Sequence, residues 1–302
     1  MKIPFLKTGD TIALAAPSRK VVPLDFEPFE KSLIKKGFNV VRAGNLNLAD
    51  NQFAGTDAER ISAMNCLFEN PDVKAIIAVR GGYGAARIVD QLKWNTLKAN
   101  PKWLCGFSDF TVLLKHQFAC NGLPALHSDM AVHFGQSGYE DNFSSLLDAL
   151  TGKPVSMSIS GHPFNRPGNA SGILVGGNLS VLYSMLGSAS FPDMHGKILF
   201  LEDLDEYLYH IDRMMLGLKR AGVFDNLAGV VIGTMSEMHD NETPFGKDAE
   251  TIIRDQLCEY SFPLLFGFPA GHTELNRAFF VGAETEISVK SGGADFLQEI
   301  SQ

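Results

Sequence analysis

The chain of 302 residues reads as an α/β protein: an N-terminal doubly wound, mostly parallel sheet flanked by helices, then a C-terminal α/β domain with a mixed sheet. Three observations predict this. Short apolar runs alternate with stretches of helical spacing through the first half, the pattern of parallel strands joined by crossover helices. Those runs are continuously apolar, as strands covered on both faces must be. Residues 151–172 then turn to Pro, Gly, Ser and Asn before the strand and helix patterns resume.

The elements follow in order. Thr11 to Ala16 is an apolar run stopped by Pro17-Ser18 and predicts a buried strand. Asp25 to Lys36 carries Phe26, Phe29 and Leu33 at helical spacing, with Gly37 suited to cap it. Phe38 to Arg42 is the next strand. A helix is expected from Asp57 to Asn70, with Thr56 as N-cap and Pro71 just past its end. Val73 to Val79 is β-branched and reads as a strand, broken by Gly81-Gly82-Tyr83-Gly84 before a helix from Ala85 to Leu92. Trp103 to Gly106 is a strand and Asp109 to Cys120 a helix. Residues 151–172 read as a linker holding one short strand at most. After it, Gly172 to Val175, Lys197 to Leu201 and Val230 to Ile232 are strand-like, and Ile211 to Ala221 is helical. These assignments place an N-terminal domain at 1–150, a linker at 151–172 and a C-terminal domain at 173–302.

Composition narrows the function. Hydrophobic residues make up 45% and charged residues 20%, the balance of a soluble globular protein. A net charge of −8 argues against nucleic acid as a partner. No apolar run approaches the roughly 20 residues of a membrane span, and the first residues lack a signal-peptide core. A cytoplasmic location is therefore expected. Cys66, Cys105, Cys120 and Cys258 form no C-x-x-C pair and read as buried free thiols.

In a doubly wound sheet the ligand crevice lies beyond the carboxyl ends of the strands. Gly81-Gly82 and Ser108 both fall there. Strand, Gly106, Phe107, Ser108, helix is the order of a nucleophile elbow, although Phe110 stands where a second glycine would complete that pattern. An ordinary helix N-cap explains Ser108 equally well. Arg80-Gly-Gly-Tyr-Gly84 offers free N–H groups for an oxyanion and, in Arg80, a cation for a substrate carboxylate; a tight strand-to-helix turn is the plainer alternative. His272, in a Gly-flanked loop, is a candidate base, with His127 as its rival. Glu202-Asp203-Leu204-Asp205-Glu206 could be a metal loop, a glycosidase carboxylate pair, a solvated loop, or the source of a carboxylate that orients a histidine. Gly176-Gly-Asn-Leu-Ser180 reads as a turn capped into a helix.

Taken in order, these segments resemble the LD-carboxypeptidase family, the muramoyltetrapeptide carboxypeptidases, whose relatives include microcin-immunity peptidases. The resemblance is carried by Gly9 to Ser18, Arg80 to Gly84 with Arg87, Gly106-Phe-Ser-Asp109 and Gly176-Gly-Asn-Leu179. It continues through Leu201-Glu-Asp203 with Glu206, Ile211-Asp-Arg213, and Gly271-His272 with Asn276. It implies a serine peptidase with Ser108 as nucleophile, His272 as base then acid, and Glu202 as its orienting carboxylate, Glu206 being the second choice. It implies oxyanion donors at the N–H groups of Gly82 and Asp109, a muropeptide substrate cut before a terminal D-alanine, no metal or cofactor, and a homodimer. Two departures stand out: Arg277 to Gly282 lacks the Pro-containing turn usual in the family, and Phe107 stands where Tyr is frequent.

Overall fold

The computed structural model describes residues 2–300. Five strands open the chain: β1 (Thr11–Ala15), β2 (Asn39–Arg42), β3 (Val73–Ala78), β4 (Trp103–Gly106) and β5 (Ala125–His127). Eight follow: β6 (Val155–Ser160), β7 (Gly168–Asn178), β8 (Ile198–Leu204), β9 (Gly229–Ser236), β10 (Leu264–Leu265), β11 (Phe279–Val281), β12 (Ala283–Lys290) and β13 (Gly293–Gln298).

The first sheet has the order β11-β5-β4-β3-β1-β2. Strands β1 to β5 are parallel, so each of β2 to β5 is reached by a helical crossover. The order reverses between β1 and β3, and a crevice opens at the carboxyl ends of the strands flanking such a reversal. Residues 17–19, 80–84 and 107–109 all leave the sheet at that end. The second sheet has the order β10-β9-β8-β7-β12-β13-β6. Strands β7 to β10 are parallel and the rest antiparallel, so this sheet is mixed, as expected.

Several sequence expectations need correction. Residues 151–172 are not a linker. Val155, Met157 and Ile159 are buried while the serines between them face out, and this period-two pattern makes β6 an edge strand paired with β13. β7 begins at Gly168. The C-terminal region also returns to the first sheet, because β11 pairs antiparallel with β5, Phe279 opposite His127. Gly176 and Gly177 lie in β7 rather than in a turn, and a side chain at Gly176 would meet the Phe200 carbonyl at 1.9 Å. Asn178 does cap the short helix Leu179–Ser184, accepting from the N–H of Val181. Helices Trp94–Ala99 and Tyr139–Leu150 lie outside the expected elements. Only Cys105 among the four thiols is buried; the others sit on outward positions.

The two sheets share an aromatic core. Phe279 of β11 stacks on His127 of β5 at 4.6 Å and packs edge-on against Phe200 of β8 at 4.9 Å. Phe268 and Phe296 complete the group. Each such ring contributes about 1.5–3 kcal/mol by burial. Among the described residues, no helix is long and apolar enough to cross a membrane.

One core residue carries a pH signature. Lys115, in the helix Thr111–Asn121, is fully buried, and its Nζ has no hydrogen-bond partner among the described residues. Burial pulls its pKa down to about 7. The unfolded chain keeps the ordinary lysine value, so above about pH 7 it holds a proton that the folded state lacks, and stability rises with pH until the unfolded lysine also titrates. Lys115→Met should raise the denaturation midpoint at neutral pH and flatten that rise. Urea titrations at several alkaline pH values check both, and an unchanged slope would contradict the assignment.

Candidate active site

The serine turn is built by local geometry. Ser108 has φ 58, a left-handed conformation that a side-chain-bearing residue adopts at some cost. It follows β4 directly and opens the short 3-10 turn Ser108–Phe110, which runs into the helix Thr111–Asn121. Gly81 packs against it so closely that a Cβ there would sit 2.9 Å from Ser108 Oγ. Only glycine lets the two turns meet this way. The N–H groups of Gly82 and Asp109 bond to no other group among the described residues, so both remain open donors beside the serine. Ser108 Oγ likewise has no hydrogen-bond partner among them.

The donor turn is held from behind. The Asp109 carboxylate is buried and accepts from Ser18 Oγ at 2.5 Å and from the N–H of Ala85 at 2.8 Å. Burial nevertheless pushes its pKa up, against those hydrogen bonds. Arg60, with no exposed surface, donates from one nitrogen to the carbonyls of Pro17 and Gly84 at 2.5 and 2.9 Å, and pairs with Asp57. Asp57 also binds Arg87, one of the residues that carry the family resemblance. Arg80 is half-buried and has no acidic partner among the described residues. Sequence reasoning found Asp109 only as a backbone donor and did not find Arg60, because a helical arginine shows its burial only in the fold.

Glu202 and His272 are brought together. His272 Nδ1 donates to Glu202 Oε2 at 2.8 Å, with the glutamate fully buried. Burial disfavours the imidazolium, but the hydrogen bond and charge of Glu202, with Asp203 and Asp129 farther away, outweigh it and hold the pKa of His272 above its ordinary value. The ring of Phe107, the residue before Ser108, lies 4.7 Å from the His272 ring. No hydrogen bond joins Ser108 to His272 among the described residues.

The other acids of the 202–206 run have separate partners. Asp203 accepts from Asn178 Nδ2 and from the N–H groups of Ser180 and Leu204; burial and then Glu202 push its pKa up to about 7. Asp205 pairs with His239, and Glu206 with His210 rather than His272. Among the described residues, no three His, Cys, Asp or Glu side chains are grouped to hold a metal ion. His127, the rival base, is fully buried, and burial lowers its pKa to about 4. It donates from Nε2 to Asn276 Oδ1 at 2.9 Å, a structural role.

Asn276 is the fastening of the His272 loop. Its Oδ1 also accepts from the N–H of Gly271, and its own N–H donates to Asn142 Oδ1. Asn142 in turn donates to Asp129 and to the Glu274 carbonyl. Asp129 binds His133 Nδ1 at 2.6 Å, forming a second carboxylate–imidazole pair in the same cavity. Asp129 and His133 stand at i and i+4, a spacing the sequence displayed but that no predicted element made meaningful.

Comparison with known proteins gives the family. The family models for the LD-carboxypeptidase N-terminal and C-terminal domains match residues 12–128 and 171–287. A probable murein peptide carboxypeptidase of Bacillus subtilis is 30% identical over 294 residues, 94% of this chain and 90% of that protein. The microcin C7 self-immunity protein of Escherichia coli is 27% identical over 316 residues, 93% and 91% of the two chains. The crystal structure of the muramoyltetrapeptide carboxypeptidase from Oxalobacter formigenes superposes with a TM-score of 0.87 at 28% identity, covering 96% of this chain and 99% of that one. These matches define an α/β peptidase fold of two domains. The chain belongs to the LD-carboxypeptidase family.

Replacing Asn276 with Ala should be costly, because it leaves His127 Nε2 and the Gly271 N–H buried without an acceptor. Each such loss is worth about 1–3 kcal/mol. Urea denaturation should show the combined effect, and a change below about 0.5 kcal/mol would contradict the fastening role.

Proposed function

We propose that the chain is a serine-type LD-carboxypeptidase that hydrolyses the amide between an L-centre diamino acid and the terminal D-alanine of peptidoglycan tetrapeptides. The observation that carries this reading is the Glu202–His272 hydrogen bond of 2.8 Å; it is supported by the left-handed turn at Ser108 and by the packing of Phe107, the residue before it, on the His272 ring. The names of the Bacillus and Oxalobacter relatives support the substrate class.

The chemistry follows from the contacts. Because Nδ1 of His272 is bound to Glu202, Nε2 is the nitrogen free to take the Ser108 hydroxyl proton as Oγ attacks the scissile carbonyl. The negative oxygen that forms faces the N–H groups of Gly82 and Asp109. His272 then gives its proton to the departing amine of D-alanine, leaving an acyl group on Ser108 Oγ. Water, deprotonated by the same imidazole, attacks that ester and restores the serine. Arg80 receives the terminal carboxylate. No metal or cofactor enters these steps. The enzyme so described acts on cell-wall fragments during recycling, in the cytoplasm and as a homodimer.

The microcin-immunity relative favours a second reading on the same residues, cleavage of a peptidyl-nucleotide amide. Side-by-side assays of a tetrapeptide and an aminoacyl-nucleotide separate the two. In the first reading, Ser108→Ala lowers D-alanine release by on the order of 10⁴-fold; a variant releasing D-alanine at the parental rate refutes the mechanism. The pH profile is a further check. The base must be neutral, so kcat/KM rises with pH through the raised pKa of His272. Glu202→Gln removes the charge that raises it, and the acid limb should move to lower pH while the plateau falls. An unmoved limb would contradict the pairing.

A further inference from the structure

Glu202 is fully buried, yet only one of its carboxylate oxygens has a partner among the described residues. Oε2 accepts from His272 Nδ1, while Oε1 is buried without a donor. A buried charged oxygen left bare is costly. Two buried donors nearby are in the same condition: Thr234 Oγ1 and Asn276 Nδ2 have no hydrogen-bond partner among the described residues. All three side chains touch Gly271. A Cβ on Gly271 would run into Thr234 Oγ1 and sit 3.1 Å from Glu202 Oε2, and the Gly271 N–H donates to Asn276 Oδ1 at 3.0 Å. His127 is no competitor. Burial lowers its pKa to about 4, and with its proton on Nε2, toward Asn276, the Nδ1 atom is an acceptor.

Strand β9 is shaped to bring Thr234 to this place. Between the pairs Leu201–Ile232 and Asp203–Met235 it has one residue more than β8, so Gly233 and Thr234 together stand opposite Glu202. A bulge of this kind re-aims the side chains next to it. A Cβ at Gly233 would collide with the Ala270 carbonyl, and the N–H of Thr234 donates to that carbonyl at 3.0 Å. Two residues on, Ser236 Oγ donates to the His272 carbonyl at 2.6 Å. The end of β9 is thus bonded to the histidine loop on both sides of Gly271. We propose that Thr234 is a positioning residue: its hydroxyl donates to Glu202 Oε1, directly or through one water shared with Asn276 Nδ2, and so fixes the plane of the carboxylate that orients His272. This rests on the serine-peptidase reading above. A hydroxyl suits the task because it is neutral and does not compete for the His272 proton. With both oxygens bonded, the carboxylate cannot swing away from Nδ1, and Nε2 stays the free nitrogen. Without that donor, more of the charge rests on Oε2 and holds the His272 proton more tightly.

The experiment compares Thr234→Val, which keeps the shape and loses the hydroxyl, with Thr234→Ser, which keeps the hydroxyl. The first readout needs no substrate. NMR titration of protein labelled in its histidine rings follows the pKa of His272, whose signal is identified by its loss in His272→Gln. The charged groups around that ring, Glu202 and Asp203 on β8 and Asp129 after β5, are the same in both variants. Thr234→Val should raise the pKa by about half a unit, and Thr234→Ser should leave it within about 0.2 of the parent value. The second readout is D-alanine release from a tetrapeptide. Thr234→Val should lower kcat roughly tenfold with KM within about twofold of the parent, and Thr234→Ser should recover kcat to within about threefold. An unmoved His272 pKa in Thr234→Val overturns the proposal, as does an equal loss of kcat in the two variants, which would mark a packing role. Absence of turnover by the parent would count against the proposed reaction, while the titration alone would still decide the role of Thr234.

Discussion

The loop that carries His272 is fastened to the sheet that carries Ser108, and everything at the crevice depends on this. The fastening has two parts. β11 pairs with β5, placing Phe279 on His127. Asn276 joins His127 to the N–H of Gly271. Both parts are buried, where a lost hydrogen bond is expensive and a lost ring contact leaves a void. The second sheet holds the other end through Glu202, which bonds His272 itself. The imidazole is thus positioned by both sheets at once, and neither alone defines where it points.

The opposite side of the crevice is organised by close backbone approach. Ser108 is held at φ 58, and Gly81 lies against it with no room for a side chain. Strain of this kind persists only where surrounding contacts determine it. Here those contacts are the Asp109 carboxylate and the Arg60 guanidinium, which tie the ends of three loops to one another. Asp205 and Glu237 also carry positive φ, at the carboxyl ends of β8 and β9. Fixed donors and a fixed imidazole need little reorganisation when charge develops on a substrate oxygen.

Much of this was legible in the sequence. The first four strands and the strand-to-helix turn at Ser108 followed from apolar runs ended by turn residues, whereas β5 was not assigned. Glu202 and His272 could be named as candidates at loop and strand ends, but spacing could not pair residues seventy positions apart; only the family resemblance did. What was missed has physical causes. Residues 151–172 have a turn-like composition that hid the alternation of Val155, Met157 and Ile159. The segment after Asn276 was noted as a departure, yet nothing local says that Phe279 to Val281 joins the other sheet. Arg60 and Asn142 are polar residues on helices, and their burial is a tertiary fact. Asp129 and His133 were visible as an i, i+4 pair without an element to give that spacing meaning.

The central claim is that Ser108, the His272–Glu202 pair and the Gly82 and Asp109 N–H groups converge on one substrate carbonyl. A crystal structure of the Ser108→Ala protein with a bound tetrapeptide tests it most directly. The account predicts the scissile carbonyl over position 108, its oxygen about 3 Å from both N–H groups, with Nε2 of His272 facing the same bond. A peptide bound with that carbonyl turned away from the elbow, or seated elsewhere on the protein, would contradict it.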